Sequence, residues 1–211
     1  YETDWNNVAP NIGVAWRPNE RFALTVDIFQ IDINDRIIFS SNIQPEDPAT
    51  CGPAHENCPI RAILDPIGVG QVLFFTNAID TKTEGVDIVA DYNTEAWGGN
   101  LDLTALLHWN TTTVNKRHSD SSVLAPRVLF DDTQVTLVEE GQPGEKHILQ
   151  GFWTNNTWEF TLRENYFGPV AGEGFTPGIK ETWGGKWLTD IAVGYNINEK
   201  WRVTLGANNV F

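Results

Sequence analysis

Apolar and polar residues alternate with a period of two along most of the chain, the spacing of a strand with one greasy face and one wet face. From Trp201 to Asn208 the odd positions Trp201, Val203, Leu205 and Ala207 are apolar, whereas Arg202, Thr204, Gly206 and Asn208 are polar or small. Trp187, Ile191, Val193, Tyr195 and Ile197 repeat the pattern one segment earlier, and Asn198, Glu199 and Lys200 predict a tight hairpin between the two. Leu101, Leu103, Ala105, Leu107 and Trp109 do the same, as do Val86, Ile88, Ala90 and Tyr92, and Trp158, Phe160 and Leu162. From Phe22 the apolar phase runs through Leu24, Val26 and Ile28 and then slips to Phe29, Ile31 and Ile33. A β-bulge near Ile28 is the expected cause.

Eight strands are predicted, at 8–16, 21–39, 71–92, 100–115, 146–154, 157–168, 186–197 and 201–210. The joins at 17–20, 93–99, 155–156 and 198–200 are short, and those at 40–70, 116–145 and 169–185 are long and rich in Pro, Gly, Asp and Glu. Strict alternation of short and long joins is the signature of a transmembrane antiparallel β-barrel, with turns at one end and loops at the other. A soluble sandwich has no physical reason to place every long loop at one end. The segment 21–39 would extend roughly 60 Å at about 3.3 Å per residue, well beyond a hydrocarbon core of about 30 Å, so it is expected to project above the bilayer. Trp16, Trp158, Trp187 and Trp201 near strand ends, and Tyr92 beside a turn, suit an interfacial girdle.

Composition narrows the partners. No run of apolar residues is long enough for a spanning helix. Fourteen Lys and Arg against 28 Asp and Glu give a net charge of −14, which argues against nucleic acid, because phosphate binding needs clustered cations. The acidic loops suit a cationic or metal-bearing ligand, and a carboxylate excess of this kind also binds divalent cations. With 211 residues, no Met and a start at Tyr1, the sequence reads as a piece of a longer chain.

Chemistry-bearing residues are few. Cys51 and Cys58, with His55 between them, are too small a set for structural zinc; a local disulfide in an oxidising compartment is expected. His55, His108, His118 and His147 show no metal spacing, with His118 and His147 read as solvated near loops, and no cofactor is implied. The pairs Asp131-Asp132 and Glu139-Glu140 would point to opposite sides of an extended chain. No catalytic set emerges, so an enzyme is not expected.

Several motifs resemble TonB-dependent outer-membrane receptors. Phe74-Phe75-Thr76-Asn77-Ala78 running into Gly85-Val86-Asp87 is similar to that family's Asn-Ala to Gly-Val-Asp segment, and Val26 to Ile37 to the long strand upstream of it. Gly206-Ala207-Asn208-Asn209-Val210-Phe211 resembles the end of the family's penultimate strand; Pro10 with Gly13 to Pro18, and Asn165-Tyr166-Phe167-Gly168, also fit. The resemblance implies a 22-stranded barrel with a plug in its lumen, of which this chain is the C-terminal portion, strands fourteen to twenty-one. The plug, its TonB-coupling box and the last strand would lie outside the chain.

By the same resemblance the protein would take up a scarce large nutrient across the bacterial outer membrane, energised by TonB. A ferric siderophore comes first, then cobalamin, haem or an oligosaccharide. The loops 40–70, 116–145 and 169–185 would be extracellular, with His55, Arg127, Tyr166 and Trp183 as ligand contacts and outer-membrane lipids and lipopolysaccharide around the wall. Two alternatives are a soluble Trp-rich β-sandwich that binds carbohydrate and a small self-contained outer-membrane barrel.

Overall fold

A computed structural model describes residues 9–48, 51, 58–173 and 179–211. Eight strands form one antiparallel sheet in chain order: β1 (Asn11–Asn19), β2 (Phe22–Phe39), β3 (Phe75–Ala96), β4 (Gly99–Arg117), β5 (Glu145–Thr154), β6 (Trp158–Phe167), β9 (Lys186–Asn198) and β10 (Trp201–Ala207). Between β6 and β9, β7 (Val170–Glu173) pairs with β8 (Lys180–Trp183) in a separate hairpin. A sandwich would need a second sheet packed against the first, and a self-contained barrel would need β1 to pair with β10. Among the described residues neither occurs, and the eight strands form one open sheet.

The tight turns of the eight-stranded sheet all lie at one end. Between β3 and β4 only Trp97 and Gly98 turn, at φ 51° and 73°, the left-handed pair that matches the right-handed twist of a hairpin. The polar residues Asn93, Thr94 and Glu95 look like a loop, yet they pair with Asp102, Leu101 and Asn100, so the turn is shorter than 93–99. The Trp153 indole folds over Gly99 and donates to the Ala96 carbonyl at 2.8 Å, closing this corner.

The predicted bulge near Ile28 is absent. The β2–β3 ladder runs unbroken from Phe22↔Tyr92 to Ile33↔Thr81 and breaks only around Arg36, beside Asp35 at φ 50°. The phase slips without an inserted residue because the surroundings change along the strand. Ile28 and Val86 share one face with Gln30, Asp32, Lys82 and Glu84, so this face turns from apolar to polar along the strands.

The long joins carry structure of their own. Residues 40–74 hold α1 (Pro59–Leu64) and a 3₁₀ turn at Asp65–Ile67, and residues 118–144 hold α2 (Pro126–Leu129) and α3 (Asp132–Glu140). The Asp131 side chain caps α3 by accepting from Gln134 N–H at 2.9 Å. Helix α1 has no local cap; the Glu46 carboxylate accepts from the Ile60 and Arg61 amides at 3.0 and 2.8 Å. Ile43, Ala78, Ile79, Leu129 and Phe130 form a buried cluster between the two loops, with Val114, Val135 and Val138 packed against it. This cap sits at the long-loop end of β2–β4, and below it the sheet is a single layer. Cys51 and Cys58 form a disulfide.

Candidate functional site

The sheet has two chemically distinct faces. On one, cross-strand neighbours are apolar: Phe160 and Val193; Leu162 and Ile191; Val193 and Leu205; Ile12 and Ile28. Two aromatic belts bound this face. Towards the turns, Trp16 meets Phe22 at 5.8 Å, Trp153 meets Phe160 at 5.6 Å, and Trp158 meets Tyr195 at 4.7 Å. Towards the loops, Trp109, His147, Tyr166 and Trp187 form a row across four strands, with centroid spacings of 4.7, 5.4 and 5.0 Å. Trp158 and Tyr166 are eight residues apart on β6, about 26 Å of strand, and a tilt of 35–45° reduces that to roughly 20 Å, close to the apolar band of a membrane barrel.

The other face is polar and hydrogen-bonded from strand to strand. Thr104 donates to Asp91 at 2.8 Å, Arg163 to Gln150 at 2.6 and 2.8 Å, Asn165 to Asp190 at 3.0 Å and Arg202 to Glu159 at 3.0 Å. Asn93 also bonds Asp102. Asp27 and Asp87 sit directly opposite each other, an arrangement that costs a ladder energy unless the charge is engaged elsewhere. Asp87 is engaged: His108 Nδ1 lies 2.5 Å from its Oδ1. Asn110 Nδ2 lies 2.6 Å from His108 Nε2 on the other side of the ring. Phe29 stacks on the same imidazole, centroids 6.1 Å apart and planes 12° from parallel. Gly85 makes room for it, because a Cβ there would lie 2.2 Å from the Phe29 ring. Lys146 lies 5.3 Å over Phe167 farther along.

A cleft of about 810 Å³ opens beside this cluster, lined among others by Phe29, Gly85, Asn110, Glu139, Gln142 and Ala171. Its roof is tied down at several points. Glu139 accepts from Val114 N–H at 2.7 Å, Glu140 pairs with Lys180 of β8 at 2.6 Å, and Arg117 bonds both the Phe130 carbonyl and Asp132. The hydrogen bond from Arg117, with its charge, holds the Asp132 carboxyl below the usual range. At Glu46 desolvation pushes the other way, but hydrogen bonds from its own backbone and from Arg61 and Ile60, with the Arg61 charge, outweigh it and the pKa falls.

The expected ligand contacts do not converge. Arg127 is on α2, largely exposed, 3.9 Å from Asp132. Trp183 is on β8, half exposed, with its ring against Gly172. Tyr166 belongs to the outward aromatic row, between His147 and Trp187, rather than to the cleft. His55 lies outside the described residues. Neither His118 nor His147 is a loop histidine in free solvent: His147 is within β5 between two rings, and His118 bonds Asp80 at 2.6 Å. Sequence reading missed the Phe29–His108–Asp87–Asn110 cluster, although Gly85 one residue before Val86 was a signal that something crosses the sheet there.

One apolar face between aromatic belts, one polar face and tight turns at a single end define a sector of a membrane-spanning β-barrel wall. The chain belongs to the family described as TonB dependent receptor-like, beta-barrel, whose model matches residues 3–210. Its fold is similar to that of the FrpB iron transporter of Neisseria meningitidis in its apoprotein form, with TM-score 0.61 and 15% identity, covering 96% of this chain and 26% of that one. It is also similar to the ferric-catecholate import receptor Fiu of E. coli K12, with TM-score 0.58, 15% identity and coverages of 96% and 23%. The ferripyoverdine receptor of the Pseudomonas aeruginosa outer membrane gives 0.51, 14%, 96% and 23%. No curated protein matches by sequence. At these identities the likeness shows the fold, and the chain spans about a quarter of each structure. It is an eight-stranded portion of a larger outer-membrane barrel.

Proposed function

We propose that this chain forms the wall and outer mouth of a receptor that takes up a scarce, large nutrient by energy-coupled transport. The observation that carries this reading is the roofed cleft at the end of the sheet where the long connections gather. Family membership supports uptake. A ferric siderophore is the first choice of cargo, in line with the iron and ferric-siderophore receptors among its structural neighbours. Cobalamin, haem and oligosaccharide follow. The segments 40–70, 116–145 and 169–185 face outside, with His55, Arg127 and Trp183 available to the cargo. Outer-membrane lipids and lipopolysaccharide surround the wall, and TonB acts through a part of the protein beyond this chain. The wall binds and passes its cargo without covalent chemistry.

Deletion of the full-length gene, followed by uptake of a panel of ⁵⁵Fe-siderophores, cobalamin, haem and oligosaccharides, tests the reading. Loss of one ferric siderophore is expected, with complementation failing in a strain that lacks TonB. Unchanged uptake of the whole panel overturns it.

A further inference from the structure

Three side chains far apart in sequence meet on the sheet above the outer aromatic row. Asp35 sits in the register break of β2 at φ 50°, and its own N–H donates to Asp80 Oδ1 at 2.9 Å. His118 follows the last residue of β4; its backbone N–H donates to the Ala78 carbonyl at 2.7 Å, which fixes where the imidazole starts. Its Nε2 lies 2.6 Å from Asp80 Oδ1 and 3.9 Å from Asp35 Oδ1, and one ligand atom from each residue falls within 4.8 Å of the other two. The His118 and Asp80 side chains are each 19% exposed, and Asp35 is 56% exposed, so the cluster is walled on two sides and open on the third.

We propose that Asp35, Asp80 and His118 form a divalent transition-metal site at the rim of the barrel wall. One imidazole nitrogen and two carboxylate oxygens are a borderline donor set, which suits Zn²⁺, Mn²⁺ or Co²⁺ better than Ca²⁺ or Mg²⁺, whose preference is for oxygen throughout. Donors around an ion at about 2.0–2.2 Å stand roughly 3–4 Å apart, so the Asp35–His118 separation already fits and the Asp80–His118 contact opens by roughly 0.4–1.4 Å once the ion sits between them. Lys116, the cross-strand neighbour of Asp80, is a nearby cation and offsets part of the carboxylate charge. Three protein donors leave positions for water on the exposed side. The ion joins the start of the 118–144 connection to β2 and β3, and it acts there independently of the cargo.

The test uses the full-length protein in detergent, stripped by chelator and titrated calorimetrically with Zn²⁺ and, separately, Mg²⁺. Expected is one more equivalent of Zn²⁺ in the unaltered protein than in His118→Gln or Asp35→Asn. If the site survives in a variant, its affinity falls by more than about tenfold, the lower bound for losing even a ligand's supporting partner. Asp35→Asn changes an exposed carboxylate at constant size, so it keeps the test alive if His118→Gln assembles poorly. With Co²⁺ as probe, the visible band loses its nitrogen-ligand character in His118→Gln only. Equal Zn²⁺ stoichiometry and affinity in all three proteins, or Mg²⁺ binding as tightly as Zn²⁺, overturns the proposal.

Discussion

Replacing Gly85 by alanine adds one methyl group at a crowded point of the inner wall. A Cβ built there lies 2.2 and 2.7 Å from the Phe29 ring and 2.7 Å from the Trp109 carbonyl oxygen, all closer than such contacts occur. The ring must swing off, and that dismantles its stack on His108, the imidazole that engages Asp87. Overpacking of this kind costs about 1–3 kcal/mol. Removing the ring instead, with Phe29→Ala, forfeits a stacked contact of about 0.5–1.5 kcal/mol in addition to its buried area. The informative experiment is the double-mutant cycle, read as the urea dependence of unfolding of the full-length protein in vesicles. The Phe29 share of the Gly85→Ala penalty disappears once Phe29 is alanine, whereas the close approach to the Trp109 carbonyl remains, and a coupling of about 1 kcal/mol is left to detect above the additivity noise of about 0.5 kcal/mol. Full additivity would mean that the ring does not occupy the glycine's place, and the account of the inner cluster would fall.

Other expectations are as direct. Leu162→Arg, in the middle of the lipid face, costs about 2–4 kcal/mol in the same assay, whereas Thr161→Arg on the inner face costs under about 0.5 kcal/mol; equal costs would reverse the assignment of faces. Because the Glu46 pKa is lowered by folding, its contribution is complete above the ordinary carboxylate pKa of 4.5 and is lost as pH falls through the lower folded value. Pepsin should therefore cut within 40–74 increasingly fast as the medium is acidified below 4.5, and Glu46→Gln should be cut rapidly already at pH 4.5. Joining Cys51 to Cys58, seven positions apart, removes about 2.5 kcal/mol of chain entropy from the opened loop. Reduction should accordingly speed proteolysis of 40–74 and leave the heat-modifiable mobility of the barrel unchanged.

The strands were legible because each has one face in a uniform environment, and a period of two survives wherever that holds. Where the environment changes along a strand the same logic misleads: the slip after Ile28 looked like an inserted residue and is instead the boundary between hydrocarbon and water. The end of β3 was read short because Asn93 to Glu95 carry turn-like side chains, although cross-strand partners hold them in the ladder. Helix α1 was hidden for another reason. It is six residues long, and the carboxylate at its N-terminus comes from Glu46, well outside any local window. The inner cluster drew on β2, β3 and β4 at once, so the pairing register had to be known before Phe29, Asp87, His108 and Asn110 could be placed together. Tyr166 shows the converse. Its residue type suited a ligand contact, but its parity on β6 put it on the lipid side.

The aromatic rows and the polarity change above them act together as a levelling device. Sliding the wall by one residue pair moves it about 5 Å along the membrane normal at ordinary strand tilt. Downward, this carries Gln30, Glu84 and Thr111 into hydrocarbon and pushes Phe22 and Trp158 out at the far side. A penalty of a few kcal/mol over that distance corresponds to a restoring force of roughly 50 pN. An axial load on the wall is therefore resisted by the bilayer through these residues, which hold it at one level against a pull in either direction.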